Sequence, residues 1–482
     1  MLNRIKKYLT LLFLILFLVD LIYSFNIHYH TPIGGDLAEI VNPNPNKGSY
    51  YVLQHPFGLG EGKYQNPNRF FAHWTTLKYF KVVPLFLQQF FSPIESLYIA
   101  AAIAKTLIQL TFVILFSLLI NNSKKLFSIE FALAVILIFP LFQSFGYNRY
   151  MGIIDQSIVY SFFYALPLCL TLVLFSPIFK KLFHASRVKI SSAGKTLTLL
   201  LILYLSLNGP LIPAVFLLVS VLIIANLFNS HLKKSPNLSL PNQIKTFLIA
   251  IDRTLFFTLL ICCLFSLYSL YIGTFNSQNI GGKVQLVERF QRLPTGLLNL
   301  IGGKLGLPIL IGMLVINYQL LRTNVTKQAK KIKGLFIWIS IFSIAYILLL
   351  PFGGYRLYRI NIIRYDTAMP IILCLIFLFG LSSHYLIINL TKKSKVIYTL
   401  VTGTVLLIFT NADRLKEDKS LCEKNLLHEL AACEEDQLIL NCNCTLVEWN
   451  TFNDYAQSEL NATFFYNLGI TSKKVLYKQN CD

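Results

Sequence analysis

Two carboxylates three residues apart, Asp36 and Glu39, follow a pair of glycines in the stretch HTPIGGDLAEIVNPNPNKGSYY, residues 30–51. On a helix, positions three apart share a face, so the pair can act from one surface. Gly34 and Gly35 permit a sharp turn into that helix, and Pro43 and Pro45 end it soon afterwards. The plain reading is an acidic helix start favoured by the macrodipole. The chemical reading is a base, a carboxylate that takes a proton from an attacking hydroxyl. Far later, PFGGYRLYRINIIRYDTAMP alternates Arg356, Arg359 and Arg364 with Tyr355, Tyr358 and Tyr365. A guanidinium fork suits the oxygens of a phosphate or carboxylate. Anchoring to anionic lipid is the alternative. Lys283, Arg289 and Arg292 in GGKVQLVERFQRLP are candidates to add to that charge. His28, His30, His55 and His73 accompany the acid pair in the first loop, and with it they could hold a divalent cation, although no recognised metal spacing is present.

The elements that must carry these residues are apolar helices. Of 482 residues, 55% are hydrophobic and only 13% charged, about half the charge of an ordinary soluble domain. Runs long enough to cross a bilayer recur, and the alternating ten-residue segments of a β-barrel do not. The spacing predicts an all-α polytopic membrane protein with spans near 7–24, 97–120, 127–145, 157–178, 195–207, 210–228, 247–272, 297–321, 334–351, 368–390 and 396–411. The opening stretch is basic and then apolar, like a secretory signal. Its length, Asp20 and the lack of a small-residue cleavage site favour an uncleaved first helix.

Charge gives the orientation. If the N-terminus is cytoplasmic, the six inner segments hold 21 Lys and Arg and no Asp or Glu, as the positive-inside rule requires. Treating the Asn208-Gly209-Pro210 turn as the middle of one broken helix would put several basic loops on the wrong side. The net charge of +21 is thus a membrane signature, and nucleic acid is not an expected partner. Residues 25–96 then form a long outer loop. Its NRFFAHWTTLKYFKVVPLFLQQFF stretch mixes aromatics with Arg69, Lys78 and Lys81, as an amphipathic interfacial helix would. Residues 412–482 form an outer C-terminal domain that holds five of the nine cysteines. Two disulfides and one spare thiol are expected there, with the pairing open.

Asp20, Lys105 and Lys304 place charge inside the outer third of three different spans, where charge is costly and often functional. An outward cavity would accommodate them, and snorkelling is the alternative. Asp252 and Arg253 are read as interfacial. No Walker loop or G-x-G-x-x-G motif is present. A phosphate-linked donor used outside the cytoplasm would plausibly be lipid-linked.

This layout resembles the GT-C superfamily of integral membrane glycosyltransferases. Those proteins have many helices, a long first outer loop with interfacial helices, and an acid on that loop just after helix one. GGDLAEI stands at that position. The resemblance spans the layout of residues 1–411 and rests on this one short motif; the tail matches no family we can name. It implies a polyprenyl-phosphate-linked sugar donor, Asp36 as catalytic base with Glu39 second, and Arg356, Arg359 and Arg364 on the donor phosphate. Tyr355, Lys105, Lys304 and His55 complete the expected substrate-binding set. Several such families carry an adjacent acid pair or a D-x-D-like motif. This chain has neither, so metal dependence stays open. The expected partners are the lipid-linked sugar, membrane lipids and a glycan or lipid acceptor. A Lys-, Asn- and Ile-rich chain suggests the inner membrane of a bacterium with AT-rich DNA. A transporter or flippase, or a lipid-linked polysaccharide polymerase or ligase, are the other functions that fit.

Overall fold

The computed structural model describes residues 2–45, 48–60, 62–122, 126–142, 152–186, 191–236, 239–279, 284–354, 361–412, 418–441 and 443–480. Tyr355, Arg356, Arg359 and Lys283 lie outside these residues.

The chain is helical almost throughout. Among the described residues, eight helices are long and apolar enough to cross a membrane. They are α1 (Leu2–Tyr29), α5 (Pro93–Asn121), the continuous α7 (Ile158–Tyr160) and α8 (Leu166–Phe183), α10 (Leu211–Leu232), α12 (Arg253–Gly273), α16 (Lys327–Leu349), α17 (Tyr365–Asn389) and α18 (Lys392–Ala412). The span expected at 297–321 is a bent pair. Here α13 (Leu286–Gln291) and α14 (Leu293–Gly302) meet α15 (Gly306–Arg322) at 87°. Two further expected spans are short. α6 (Ile129–Ile138) and α9 (Ser192–Ser206) rise roughly 15 and 22 Å at 1.5 Å per residue, less than a hydrocarbon core of about 30 Å. Pro140, inside a 3-10 turn, stops α6.

Helix starts follow local chemistry. Ser92 and Glu95 form a capping box with Pro93 at the first turn of α5, and Asp252 accepts from the Leu255 amide at the start of α12. Gly209 has φ 108, a conformation only glycine adopts easily. Its amide donates to Asn68 O at 2.7 Å, so the first loop pins the α9–α10 turn. α5, α8 and α17 are the most enclosed spans, whereas α1, α16 and α18 are the least buried. Polar side chains join the basic-loop ends of α15, α17 and α18. Asn317 donates to Ser382 and Ser383 at 2.8 and 3.0 Å, and Tyr398 donates to Asn317 at 2.7 Å. Such bonds hold helices together where lipid gives no hydrophobic drive.

The first loop carries α2 (Leu37–Val41), α3 (Gly48–Gln54) and α4 (Phe70–Leu87), while α11 (Leu240–Ala250) precedes α12. α4 buries Ala72, His73, Thr76, Phe80 and Leu87 and exposes Trp74, Lys78, Lys81, Val82 and Phe86. That is one face against protein and one of mixed apolar and basic character, as an interfacial helix requires. The tail folds as α19 (Leu421–Ala432), β1 (Gln437–Asn441), α20 (Glu459–Asn467) and β2 (Leu476–Asn480), with the strands parallel and Gln437 opposite Leu476. Cys422 and Cys444 are bonded and Cys433 is free. Cys442 and Cys481 lie outside the described residues.

The tail is not a separate appendage. Its apolar residues belong to the same buried cluster as the loop and the membrane helices. Glu423, 2% exposed, is the clamp. It accepts from Tyr98 Oη at 2.7 Å, the Ile33 amide at 2.9 Å and the Val447 amide at 2.8 Å. Lys424 lies 4.0 Å from the Tyr29 ring centroid and 4.7 Å from that of Tyr98.

Candidate active site

The acid-bearing turn is built by close approach. Gly34 has φ 78 and lies against Ser157, and a Cβ on Gly35 would overlap the Trp449 ring. Asp36 caps α2 with φ 66, a left-handed conformation that costs most residues roughly 1–2 kcal/mol and that Asp tolerates better. Asp36 therefore stands at the mouth of α2, ahead of the face that carries Glu39. Glu39 accepts from Ser49 Oγ at 3.1 Å. The tail brings a third carboxylate, because the Asp36 amide donates to Glu448. Burial pushes Glu448 above the usual carboxylate range, the Trp449 and Asp36 amides pull it back, and the Asp36 and Glu39 charges add to the rise.

A second segment, residues 152–157, runs beside this turn. The Ile158 amide donates to Ile33 O at 3.3 Å. Lys105, 1% exposed, donates to Gln156 O. Asp155 accepts from the Ser157 amide at 2.8 Å and from the Tyr365 hydroxyl. Burial raises Asp155 to about 6, the Ser157 amide and Lys105 oppose the rise, and Asp366 adds to it.

The third segment is 361–367. Arg364 is tied to Asp366 at 2.6 Å, and its amide donates to Thr367 Oγ1 at 2.9 Å. Its Nε is buried and has no hydrogen-bond partner among the described residues. Arg364 and Tyr365 line a cavity of about 560 Å³ together with Asn299, Asn361 and Ile363. Tyr365 thus has one foot in this cavity and one on Asp155. Around its hydroxyl stand Tyr160 and Tyr164, the latter within a π-helical turn, Ser161–Ala165. Tyr160 packs on Trp449 with centroids 5.4 Å apart, and Arg69 lies over Phe163 and Tyr164 at 5.7 and 6.0 Å.

Three of the expected residues are linked through this hub: Asp36 through Gly34 and Ser157, Lys105 through Gln156, and Arg364 through Tyr365. Others stand elsewhere. Lys304 is exposed at the break between α14 and α15, outside any straight span, because the 87° bend carries it there. His55 packs on Tyr64 at 5.7 Å, in the part of the loop that joins the end of α12 through a Tyr64–Asn276 bridge. Arg289 is spent on the carbonyls of Val284, Pro351 and Gly353, and Arg292 on Glu288. The histidines disperse: His28 bonds Gln109, His30 faces Asp418, and His73 lies tilted against Phe163. Among the described residues no group of three His, Cys, Asp or Glu could hold a metal ion. The expectations for Tyr355, Arg356 and Arg359 fall outside the described residues.

No protein-family model and no curated protein matches the chain.

Functional meaning therefore comes from the site's own geometry. The arrangement offers a guanidinium donor facing a cavity, carboxylates on two adjoining turns and an aromatic wall between them. Such a set can hold an anionic group and move a proton beside it.

Asp155 is expected to make the site pH-dependent. Its folded pKa lies above that of a free aspartate, so the proton is held more tightly in the folded state. That advantage to folding is full below pH 4 and is lost as the pH rises through about 6. Reconstituted protein is expected to gain activity over the same interval, with Asp155→Asn removing the inflection near pH 6. An unchanged pH profile in that variant would remove Asp155 from the site.

Proposed function

We propose that the chain is a membrane glycosyltransferase of GT-C type, moving a sugar from a polyprenyl-phosphate-linked donor to an acceptor hydroxyl on the extracytoplasmic face. The observation that carries this reading is the Arg364 cavity, joined through Tyr365 and Asp155 to the Asp36 turn. Phosphate chemistry needs a fixed cation where charge develops, and acceptor chemistry needs a carboxylate beside it.

In this reading the acceptor oxygen attacks the anomeric carbon as the carbon–oxygen bond to the donor phosphate breaks. Asp36 takes the acceptor proton. Arg364 binds the phosphate that leaves with its electron pair, and Asp366 holds the guanidinium in place. Lys105 and Asp155 position the 155–157 turn and the Tyr365 hydroxyl. The basic short loops give the orientation, with the Asp36 turn and the tail outside.

The test is transfer by the full chain in proteoliposomes, with radiolabelled polyprenyl-phosphate sugars as donors. Arg364→Lys preserves the pairing with Asp366 and loses the fork. It is expected to raise the donor KM about tenfold to a hundredfold, the size of a charged hydrogen bond worth roughly 1.5–3 kcal/mol. Transfer from a nucleotide sugar without a lipid carrier, or solute flux without transfer, would reject the reading.

A further inference from the structure

A second cavity, of about 530 Å³, lies between α5, α8, α10, α16 and α17. Phe116, Phe175, Phe179, Trp338, Phe342 and Phe377 dominate its wall. Its lining runs along α8 from Leu168 to Phe183, roughly 22 Å at 1.5 Å per residue. That is the form of a slot for a chain, not a chamber for a compact solute.

One end of the slot is basic. Lys331 lines it there and donates to Phe183 O at 2.6 Å. His184 lies beside it: burial lowers its pKa, the Leu119 carbonyl opposes that fall, and Lys331 and Lys180 add to it. Lys331 has no carboxylate partner among the ion pairs of the described residues, in contrast to Lys181, which pairs with Asp252 at 2.7 Å. The two loops at this end, 179–195 and 322–333, contain no acid. The slot therefore joins an apolar body to Lys331, a cation with no ion-pair partner among the described residues, the complement of an anionic amphiphile.

We infer that this groove is a binding site for an anionic phospholipid of the leaflet beside the basic loops, with one acyl chain in the slot and the phosphate at Lys331. It shares no lining residue with the Arg364 cavity, and Lys331 stands at the end of the slot away from Pro370, the α17 lining residue nearest Tyr365. The inference does not depend on the proposed transfer reaction.

Gly334 gives a direct way to close the slot. It lines the groove, and a Cβ at this position meets no atom within 4 Å. Gly334→Leu thus adds volume into open space, in a helix where leucine is favoured over glycine. The experiment is native mass spectrometry of the full-length protein in detergent, titrated with phosphatidylglycerol or with phosphatidylcholine of the same acyl chains. Wild type is expected to retain phosphatidylglycerol about tenfold better, Lys331→Gln to cut that preference about fivefold, and Gly334→Leu to lose both lipids. Circular dichroism and elution volume confirm that each variant is folded. Equal retention of the two lipids by wild type would overturn the inference. So would an unchanged preference in Lys331→Gln, or retention of a polyprenyl phosphate with none of phosphatidylglycerol.

Discussion

Asp36→Asn is expected to lower the transfer rate by roughly 10²–10⁴-fold, the usual contribution of a positioned base. The amide is nearly the same size and shape and cannot accept the proton. It also keeps the left-handed turn, because Asn is as tolerant of positive φ as Asp. Folding and donor affinity should stay within a factor of a few of wild type, so the loss falls on kcat. Glu39→Gln separates the two acids, because its carboxylate is occupied by Ser49 and its substitution should cost far less. A variant Asp36→Asn that turns over normally would transfer the base role to Asp155 or end the proposal.

The largest stability effect is expected at Glu423. Replacement by Ala strands three buried donors: Tyr98 Oη and the amides of Ile33 and Val447. An unsatisfied buried donor costs about 1–3 kcal/mol, so the loss should be on the order of 3 kcal/mol after relaxation. Because those donors come from α5, the first loop and the tail itself, the tail should detach before the bundle melts. Limited proteolysis between 412 and 432 and a fall in thermal midpoint would report this. Glu423→Gln, which retains an acceptor, should fall between the two. Equal protease resistance of Glu423→Ala and wild type would show that the clamp does not hold the tail.

Much of the architecture is legible in the sequence because it follows from hydropathy and helix length. Apolar runs predict where helices lie. The short α9 already reads as a short run at 195–207, but the runs do not reveal that α6 stops short of 145, because Pro140 acts through geometry and not through composition. Nor do they reveal the 87° bend that carries Lys304 to the surface. The Asp36 turn and Arg364 are visible as unusual residues in loops between apolar runs. Asp155 is the only acid between residues 131 and 251, which would have singled it out. Glu448 and Trp449 leave no such trace. They reach the site through packing across some 400 residues of chain, and neither periodicity nor charge balance encodes that contact.

The Trp449 ring over Gly35 has a consequence for biogenesis. The turn that bears Asp36 is synthesised some 400 residues before its roof, and seven of the eight membrane-length helices of the described residues emerge between them. A ribosome-bound chain in which residues 420–450 have not yet emerged would hold those helices with the roof still missing. Closure of the Asp36 turn is thus a late event, completed when the segment around Trp449 packs back onto Gly35.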